Sequence, residues 1–212
     1  MIDHKKLSLA NQIFEIIEKE ILHGKYPQGT VLDEGLLSAQ LRVARSTIKE
    51  ALIKLEAEKL VAETADGFRV LGITADDIED MYDVKRKLEV NAAVMAARRM
   101  SDEAIEELGL VIYQQQKCVE AGDAEQARNL DTRFHDLIYA GCGSTTYEVV
   151  LSPIHHKLAK YRKVSLENKS RGESALEEHK AIYEAIAARD YAAVEKQMLA
   201  HIENAYDRIT NA

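Results

Sequence analysis

The sequence predicts a mainly α-helical protein with two parts. An N-terminal winged helix-turn-helix, three helices plus a β-hairpin wing, precedes an all-α antiparallel bundle of about six helices. Apolar residues recur at helical spacing along most of the 212 residues. The two prolines, Pro27 and Pro153, leave long stretches in which helices can run uninterrupted. One strong hairpin signal, Ala65-Asp66-Gly67, separates two short apolar segments in the first third of the chain.

The charge distribution separates the two parts. The net charge is −8, but the first 74 residues are nearly neutral and the acidic excess lies beyond them. Basic side chains concentrate between residues 32 and 60, at Arg42, Arg45, Lys49, Lys54 and Lys59. A local basic patch acts over a Debye length of about 10 Å whatever the total charge. A protein that is acidic overall can therefore still bind nucleic acid through its first part.

The sequence contains no signal for membrane insertion or secretion. No apolar run approaches the roughly 20 residues that span a bilayer, and the first residues lack the apolar core of a signal peptide. Cys118 and Cys142 have no metal-type spacing, and two cysteines are too few for a disulfide scaffold. We expect a cytoplasmic protein that does not bind membranes.

Helical patterns in residues 8–60 predict the core of a helix-turn-helix. Residues 8–23 predict an amphipathic helix whose inward residues are Ile13, Ile16, Ile17, Ile21 and Leu22. Residues 32–60 predict two short helices joined by a tight turn. The expected buried residues are Leu36, Leu37 and Leu41 in the first of these, and Ile48, Ala51, Leu52 and Leu55 in the second. Ser46 and Thr47 can cap the second helix, and Glu50 completes a capping box with Thr47.

Polar side chains suited to DNA lie at the start of the second short helix. This pattern leaves Arg45, Ser46, Thr47 and Lys49 exposed at the helix end that enters the major groove in a helix-turn-helix. Arginine and lysine suit guanine edges and phosphates, and hydroxyls suit phosphates or bases. An ordinary helical hairpin with a solvated charged face explains the same periodicity and remains open from the pattern alone.

Beyond residue 77 the pattern is helical, with no convincing strand. The predicted helices run roughly over residues 75–100, 102–121, 123–141, 145–167, 173–189 and 191–210. Short connections between them favour antiparallel packing of neighbours. We therefore divide the chain into a DNA-binding domain (residues 1–72), a linker (residues 73–77) and a helical domain (residues 78–212).

Four polar residues in the helical domain form a candidate metal site. Asp131 and His135 are four residues apart and project from one face of their helix. His179 and His201 lie mid-helix, flanked by apolar positions that point them inward. Nitrogen and oxygen donors of this kind suit a divalent ion such as zinc or nickel. The alternative, that each histidine contacts a neighbour or water, remains open.

Two other histidine motifs point to different interpretations. His155 and His156 are adjacent, so they diverge by about 100° on a helix and cannot both join one site. We expect this pair at an interface or in solvent. His135-Asp136 is the doublet found in helical metal-dependent phosphohydrolases, and such an enzyme with an accessory N-terminal domain is the alternative function. A DNA-binding protein with a purely structural bundle is a third possibility.

The N-terminal motifs together resemble the DNA-binding domain of the GntR family of bacterial repressors. The matching segments are H-G-K-Y-P at 23–27, G-x-x-L-x-E at 29–34, V-x-R-S-T-I-K-E-A-L at 43–52, L-E-A-E-K-L-V at 55–61 and the wing glycine at 67. The resemblance implies DNA contacts by Arg45, Thr47, Lys49 and Gly67. Residues common in the family are replaced by Gly35, Ala44, Thr47 and Lys49. Lysine keeps the charge but lacks the planar fork of arginine, so we expect a different base sequence to be read.

The second part resembles the FCD domain, the all-helical ligand-binding domain of the FadR branch of that family. D-x-x-F-H at 131–135, the Glu178-His179 segment and M-x-x-H at 198–201 carry the resemblance. It implies a metal ion at Asp131, His135, His179 and His201 and a small organic-acid effector. Lys85 replaces a frequent arginine, and Arg133 and Arg162 are further cations for that effector. The expected protein is a ligand-responsive repressor, not an enzyme, that binds palindromic operator half-sites as a homodimer.

Overall fold

The structure, a computed structural model, describes residues 8–165 and 170–211, without the side chains of residues 162–165 and 170–171. The chain divides into two units, the first ending at Asp77 and the second beginning at Ile78. No helix in the described ranges combines the length and apolar character needed to cross a membrane.

The first unit is a three-helix core with a small sheet. Its elements are α1 (Leu9–Leu22), β1 (Val31–Leu32), α2 (Glu34–Leu41), α3 (Arg45–Ala57), β2 (Val61–Thr64) and β3 (Gly67–Val70). The residues predicted as the buried stripe of α3 are all fully buried. Two other inward predictions are wrong, because Leu36 is 73% exposed and Ile16 41% exposed. Both lie at the edge of an apolar stripe that is narrower than the sequence pattern.

The wing is a three-stranded antiparallel sheet in the order β1-β3-β2. The predicted hairpin is present, with Val61 paired to Val70 and Thr64 to Gly67. The additional strand β1 pairs Val31 with Arg69 and Leu32 with Phe68. The sequence did not predict β1, since two residues are too few to show a period. It joins the wing to the segment that enters α2.

Gly67 fills a position at the wing turn that a larger residue cannot adopt without strain. Its φ of 130° lies in a region that L side chains rarely occupy, and an added Cβ would lie 2.7 Å from the backbone oxygen of Leu32. We expect Gly67→Ala to lower the free energy of unfolding of this unit by about 2–3 kcal/mol. Urea titration followed by circular dichroism measures it.

Gly72 offers the matched control for this substitution. Its φ of 70° is also positive, but no described atom lies within 4 Å of an added Cβ. Gly72→Ala should cost only about 1 kcal/mol, from the backbone conformation alone. Equal losses for the two variants would show that the contact with Leu32 contributes nothing.

The turn between α2 and α3 differs from the predicted capping arrangement. The N-cap residue of α3 is Ala44, whose side chain offers no capping hydrogen bond, while Ser46 and Thr47 lie inside the first helical turn. The predicted capping box is therefore wrong. Arg42 adopts a left-handed conformation and ends α2, and the Ser38 hydroxyl donates to the Val43 carbonyl. A side chain of α2 thus stabilises the turn, and the hydroxyls of Ser46 and Thr47 do not cap α3.

The second unit is all-helical in the described residues. Its helices are α4 (Ala75–Arg99), α5 (Asp102–Ala121), α6 (Ala124–Gly141), α7 (Thr145–Ser165), α8 (Ser170–Ala187) and α9 (Tyr191–Thr210). These bounds agree closely with the predicted helices, except that α8 begins three residues earlier. The predicted end of the helix over residues 145–167 lies outside the described residues. Ser101, Asp123 and Asp190 cap α5, α6 and α9 by accepting hydrogen bonds from the first-turn amides. Buried apolar residues from all six helices form its core.

Candidate nucleic-acid interface and candidate metal centre

The predicted DNA-contacting side chains lie together on the first turn of α3. Arg45, Ser46 and Lys49 are exposed and Thr47 is half-buried. The free backbone N–H groups and the positive end of the helix dipole favour an anion at the same place. Gly67 is at the wing turn of the same unit. The arrangement suits contacts with the DNA phosphate backbone, which position the protein, and contacts with base edges, which read the sequence.

Gly35 leaves room for the guanidinium of Arg45. A Cβ built on Gly35 would lie 2.8 Å from Nη2 of Arg45 and 3.1 Å from the Asp33 carboxylate. The absence of a side chain at Gly35 thus affects where the neighbouring Arg45 side chain can lie. A bulkier residue at position 35 would displace the end of that flexible chain.

Three histidines converge inside the helical unit. His135 on α6, His179 on α8 and His201 on α9 are each at most 3% exposed. One ring nitrogen of each lies within 4.8 Å of the others. Asp131 joins them, since its Oδ1 lies 3.5 Å from Nε2 of His179. The structure therefore brings together the four residues that the sequence singled out.

Hydrogen bonds fix the orientation of two of these rings. Nδ1 of His179 lies 3.0 Å from Oε1 of Gln115, whose amide nitrogen in turn donates to the Ala127 carbonyl. Nδ1 of His201 lies 2.7 Å from Glu178. Because both partners are acceptors, Nδ1 carries the proton in each ring and Nε2 keeps its lone pair. This is the tautomer of a metal-binding histidine with an outer partner.

Glu178 is a charged outer partner of this cluster. Burial alone would raise the pKa of Glu178, but hydrogen bonds from His201 and Arg208 lower it to about 2. Arg208 contacts both carboxylate oxygens, at 2.8 Å and 3.0 Å. The carboxylate is thus ionised at neutral pH and increases the electron density on His201.

His135 faces a second buried carboxylate, Glu89. Nδ1 of His135 lies 2.7 Å from Oε1 of Glu89, which also accepts a hydrogen bond from Tyr139. The histidine contact is short but poorly aligned, so neither ring nitrogen makes a well-formed hydrogen bond to the described residues. Lys85 lies 2.5 Å from the other oxygen. Burial alone would raise the pKa of Glu89, but Lys85 and His135 hold it well below its usual value.

The inward nitrogens of this cluster are left for a ligand. Nε2 of His135 and Nε2 of His179 are buried and have no hydrogen-bond partner among the described residues. Burial lowers the pKa of His135, and that of His179 more strongly, so both rings are neutral at physiological pH. Orphaned neutral nitrogens are costly without a ligand and are the donors that zinc and nickel use. The residues present therefore fit a divalent cation.

The structure places His155 elsewhere than expected and adds Glu89 to the buried cluster. His155 is 1% exposed, and its ring centroid lies 4.2 Å from that of His135, so it belongs to the buried cluster and not to an interface or solvent. His156 does face outward, and it pairs with Asp136 at 3.0 Å. Glu89 was not singled out from the sequence. It lies four residues after Lys85 on the buried side of α4, a spacing that surface ion pairs also have.

The three cations suggested for the effector have different surroundings. Lys85 is buried beside Glu89, and its Nζ lies 3.4 Å from Nδ1 of His155. Arg133 is exposed and pairs with Glu107 at 2.6 Å. The side chain of Arg162 lies outside the described residues. Of the two cations whose side chains are described, Lys85 belongs to the histidine cluster and Arg133 does not.

The winged first unit and the histidine-lined helical unit define a DNA-binding transcription regulator with an all-helical second domain. Residues 9–70 match the bacterial regulatory proteins of the gntR family, and residues 80–204 match the FCD domain. The chain therefore belongs to the GntR family and carries an FCD domain of the FadR type.

Known relatives share nearly the whole length of the chain. It is 26% identical over 196 residues to the uncharacterised HTH-type transcriptional regulator YdhC of Bacillus subtilis, covering 91% of this chain and 87% of that protein. It is 25% identical over 193 residues to the HTH-type transcriptional repressor RspR of Escherichia coli, covering 91% and 85%. The solved structure of E. coli McbR/YncC superposes with a TM-score of 0.68 at 20% identity, covering 94% of this chain and 95% of that chain.

The family consists of transcription regulators and not enzymes, which removes the phosphohydrolase alternative. The geometry of the doublet agrees with this. His135 points into the buried cluster, whereas Asp136 points toward the exposed His156. The two residues of the doublet therefore do not share one site.

Proposed function

We propose that this protein is a ligand-responsive repressor that binds palindromic operator DNA as a homodimer. Its helical unit would hold a divalent metal, zinc or nickel, through Asp131, His135, His179 and His201, and would bind a small organic acid beside it. The observation that carries the proposal is the convergence of three buried histidines near Asp131. Two of their inward nitrogens, Nε2 of His135 and Nε2 of His179, have no hydrogen-bond partner among the described residues.

The chemistry of the site supports a carboxylate effector. A bound divalent cation supplies a Lewis acid that attracts an anionic oxygen. Lys85 adds a positive charge in the same buried cluster, where low dielectric strengthens its field. Glu89 offsets part of that charge at 2.5 Å, so the lysine contributes mainly to the local potential. An organic anion is thus favoured over a neutral or cationic ligand.

The first unit would read the operator with the start of α3 in the major groove. Arg45 and Lys49 provide base or phosphate contacts, Ser46 and Thr47 provide hydroxyls for phosphates, and Gly67 brings the wing backbone close to the duplex. Two copies in a homodimer would place these surfaces on the two halves of a palindrome.

Regulation requires that the effector distinguish two states. An effector shifts DNA binding only if its affinity differs between the DNA-binding and non-binding arrangements. We propose that the linker at residues 73–77 transmits a change of packing in the bundle to the first unit. Its Thr74 and Asp77 side chains hydrogen-bond to each other at the start of α4.

The test uses the protein purified without chelator and an operator selected by that protein from a random DNA pool. Operator affinity is measured by fluorescence anisotropy with and without EDTA, and with each member of a panel of small carboxylates. We expect a metal content of one ion per chain and at least one carboxylate that changes operator affinity. If carboxylates bind to the metal-loaded protein but none changes its affinity for DNA, the sensing part of the proposal is wrong.

Substitutions in α3 test the DNA part of the proposal. We expect Arg45→Ala to weaken operator binding by about 1–3 kcal/mol and to relax the base preference at one position of each half-site. Lys49→Ala should weaken binding to all sequences and reduce the slope of log K against log salt by about 1. Anisotropy titrations at several salt concentrations separate the two effects.

The matched control for these variants is Lys19→Ala. Lys19 is an exposed basic residue on α1 of the same unit, so the variant loses the same charge away from α3. It should leave both affinity and salt slope within error of the parent. Equal effects of the three substitutions would mean that α3 is not the reading element.

A further inference from the structure

His155 is a fourth imidazole in the buried cluster, contributed by α7. Its ring centroid lies 4.2 Å from that of His135 and 6.2 Å from that of Tyr139. Neither the sequence motifs nor the proposed metal ligands give this residue a role.

The neighbours of His155 determine which ring nitrogen carries its proton. Nδ1 lies 3.4 Å from Nζ of Lys85. A lysine ammonium can only donate, so Nδ1 is the acceptor and the ring proton is on Nε2. Glu89 holds that ammonium in place at 2.5 Å. His155 therefore has the opposite tautomer to His179 and His201.

The Nε2–H group of His155 faces Asp131. Nε2 lies 3.6 Å from Oδ2 of Asp131, a few tenths of an ångström beyond a hydrogen bond, and has no other partner in the described part of the chain. The other carboxylate oxygen, Oδ1, lies 3.5 Å from Nε2 of His179. The two oxygens of Asp131 thus face a proton donor on one side and a lone pair on the other.

We propose that His155 is a positioning residue for Asp131. Its Nε2–H donates to Oδ2 and so presents Oδ1 alone to the metal. Lys85 and Glu89 act through His155 by holding its tautomer. This inference rests on the proposed metal site. Ligating carboxylates are commonly oriented by such an outer hydrogen bond, and its loss typically lowers metal affinity 10- to 100-fold.

The tautomer can be observed in the unmodified protein. Long-range proton–nitrogen correlation spectra of the zinc-loaded chain, labelled with nitrogen-15, distinguish protonated, bare and metal-bound ring nitrogens. We expect His135, His179 and His201 to show protonated Nδ1 and metal-bound Nε2, and His155 to show bare Nδ1 and protonated Nε2. A metal-bound nitrogen on His155 would make it a fifth ligand and would overturn the proposal, as would a proton on its Nδ1.

Two substitutions measure the energetic consequence. Zinc affinity by chelator competition should fall 10- to 100-fold in His155→Leu, which has no donor. It should stay within about 3-fold of the parent in His155→Gln, whose amide can still donate to Asp131. His156→Gln is the control, because this neighbour is exposed and pairs with Asp136. Circular dichroism of the metal-free variants checks that they fold, and if His155→Leu does not, the spectra of the unmodified protein decide.

The outcomes separate this inference from the proposed function. If the parent protein binds no zinc, the metal site itself is wrong. If the parent binds zinc, His179→Ala loses it and His155→Leu keeps full affinity, the metal site stands and the role of His155 is refuted. If His155→Gln binds zinc as weakly as His155→Leu does, the role of His155 as a hydrogen-bond donor is refuted.

Discussion

Replacing Glu89 with leucine is expected to lower the free energy of unfolding by about 3–5 kcal/mol. Glu89 is fully buried and lies 2.5 Å from the Lys85 ammonium. It also accepts a hydrogen bond from Tyr139, whose pKa is raised well above its usual value by burial and by this carboxylate. The substitution removes the carboxylate that lies against this buried positive charge. Urea unfolding of metal-free protein, followed by circular dichroism, measures the loss.

A double substitution separates the charge from the packing. Lys85→Met combined with Glu89→Leu removes both charges, and buried ion pairs can often be replaced by apolar residues with little loss. We expect the double variant to recover at least half of the stability lost by Glu89→Leu. The surface control is Lys87→Met, because Lys87 pairs with Asp83 at the same four-residue spacing but is 69% exposed. That change should alter stability by less than about 0.5 kcal/mol. If the double variant recovers no stability, the loss in Glu89→Leu comes from packing and not from the unpaired charge.

His179→Ala is expected to lower the affinity for zinc by at least about 100-fold, because the loss of an outer partner alone already costs 10- to 100-fold. The ring supplies a buried nitrogen with no other partner among the described residues. Metal that binds only the folded state stabilises it in proportion to the logarithm of affinity. At a fixed zinc concentration the stabilisation by zinc should therefore fall by about 2.7 kcal/mol, which reduces the rise in melting temperature. Differential scanning calorimetry with and without zinc measures it.

His156→Ala serves as the matched control for that substitution, since it removes a histidine whose side chain is 46% exposed. Its zinc affinity and thermal upshift should equal those of the parent. A His179→Ala protein that keeps its metal and its thermal upshift would favour the remaining alternative, a DNA-binding protein whose bundle is only structural.

The helices and their order could be predicted because each carries a long apolar stripe. The bounds of α5, α6 and α9 follow from caps that are visible in the sequence, such as Ser101 and Gly122 around α5. Short elements have no such signal. The strand β1 contains two residues and exists because β3 supplies its hydrogen bonds. The capping box at α3 was wrong because the N-cap residue is Ala44, three residues before Thr47.

For the site as well, the direction of a side chain on its own helix could be predicted, but burial by neighbouring helices could not. Asp131 and His135 share one helix face, and His179 and His201 lie on apolar stripes, so their inward direction was predictable. The position of His155 was available too, since it continues the stripe of Leu151 and Leu158, but its adjacency to His156 suggested exposure. Lys85 and Glu89 have the spacing of a surface ion pair. Their burial depends on the helices packed over α4, which no local pattern specifies.

The short distance between Lys85 and Glu89 also bears on how many ions a chain can hold. Among the described residues, Glu89, His135 and His155 form a second group of donors close enough to share a cation. The lysine ammonium already lies 2.5 Å from the first of these and 3.4 Å from the last. The positive charge of this side chain would therefore oppose the binding of a cation by this second group. A neutral residue at position 85 would remove that opposition.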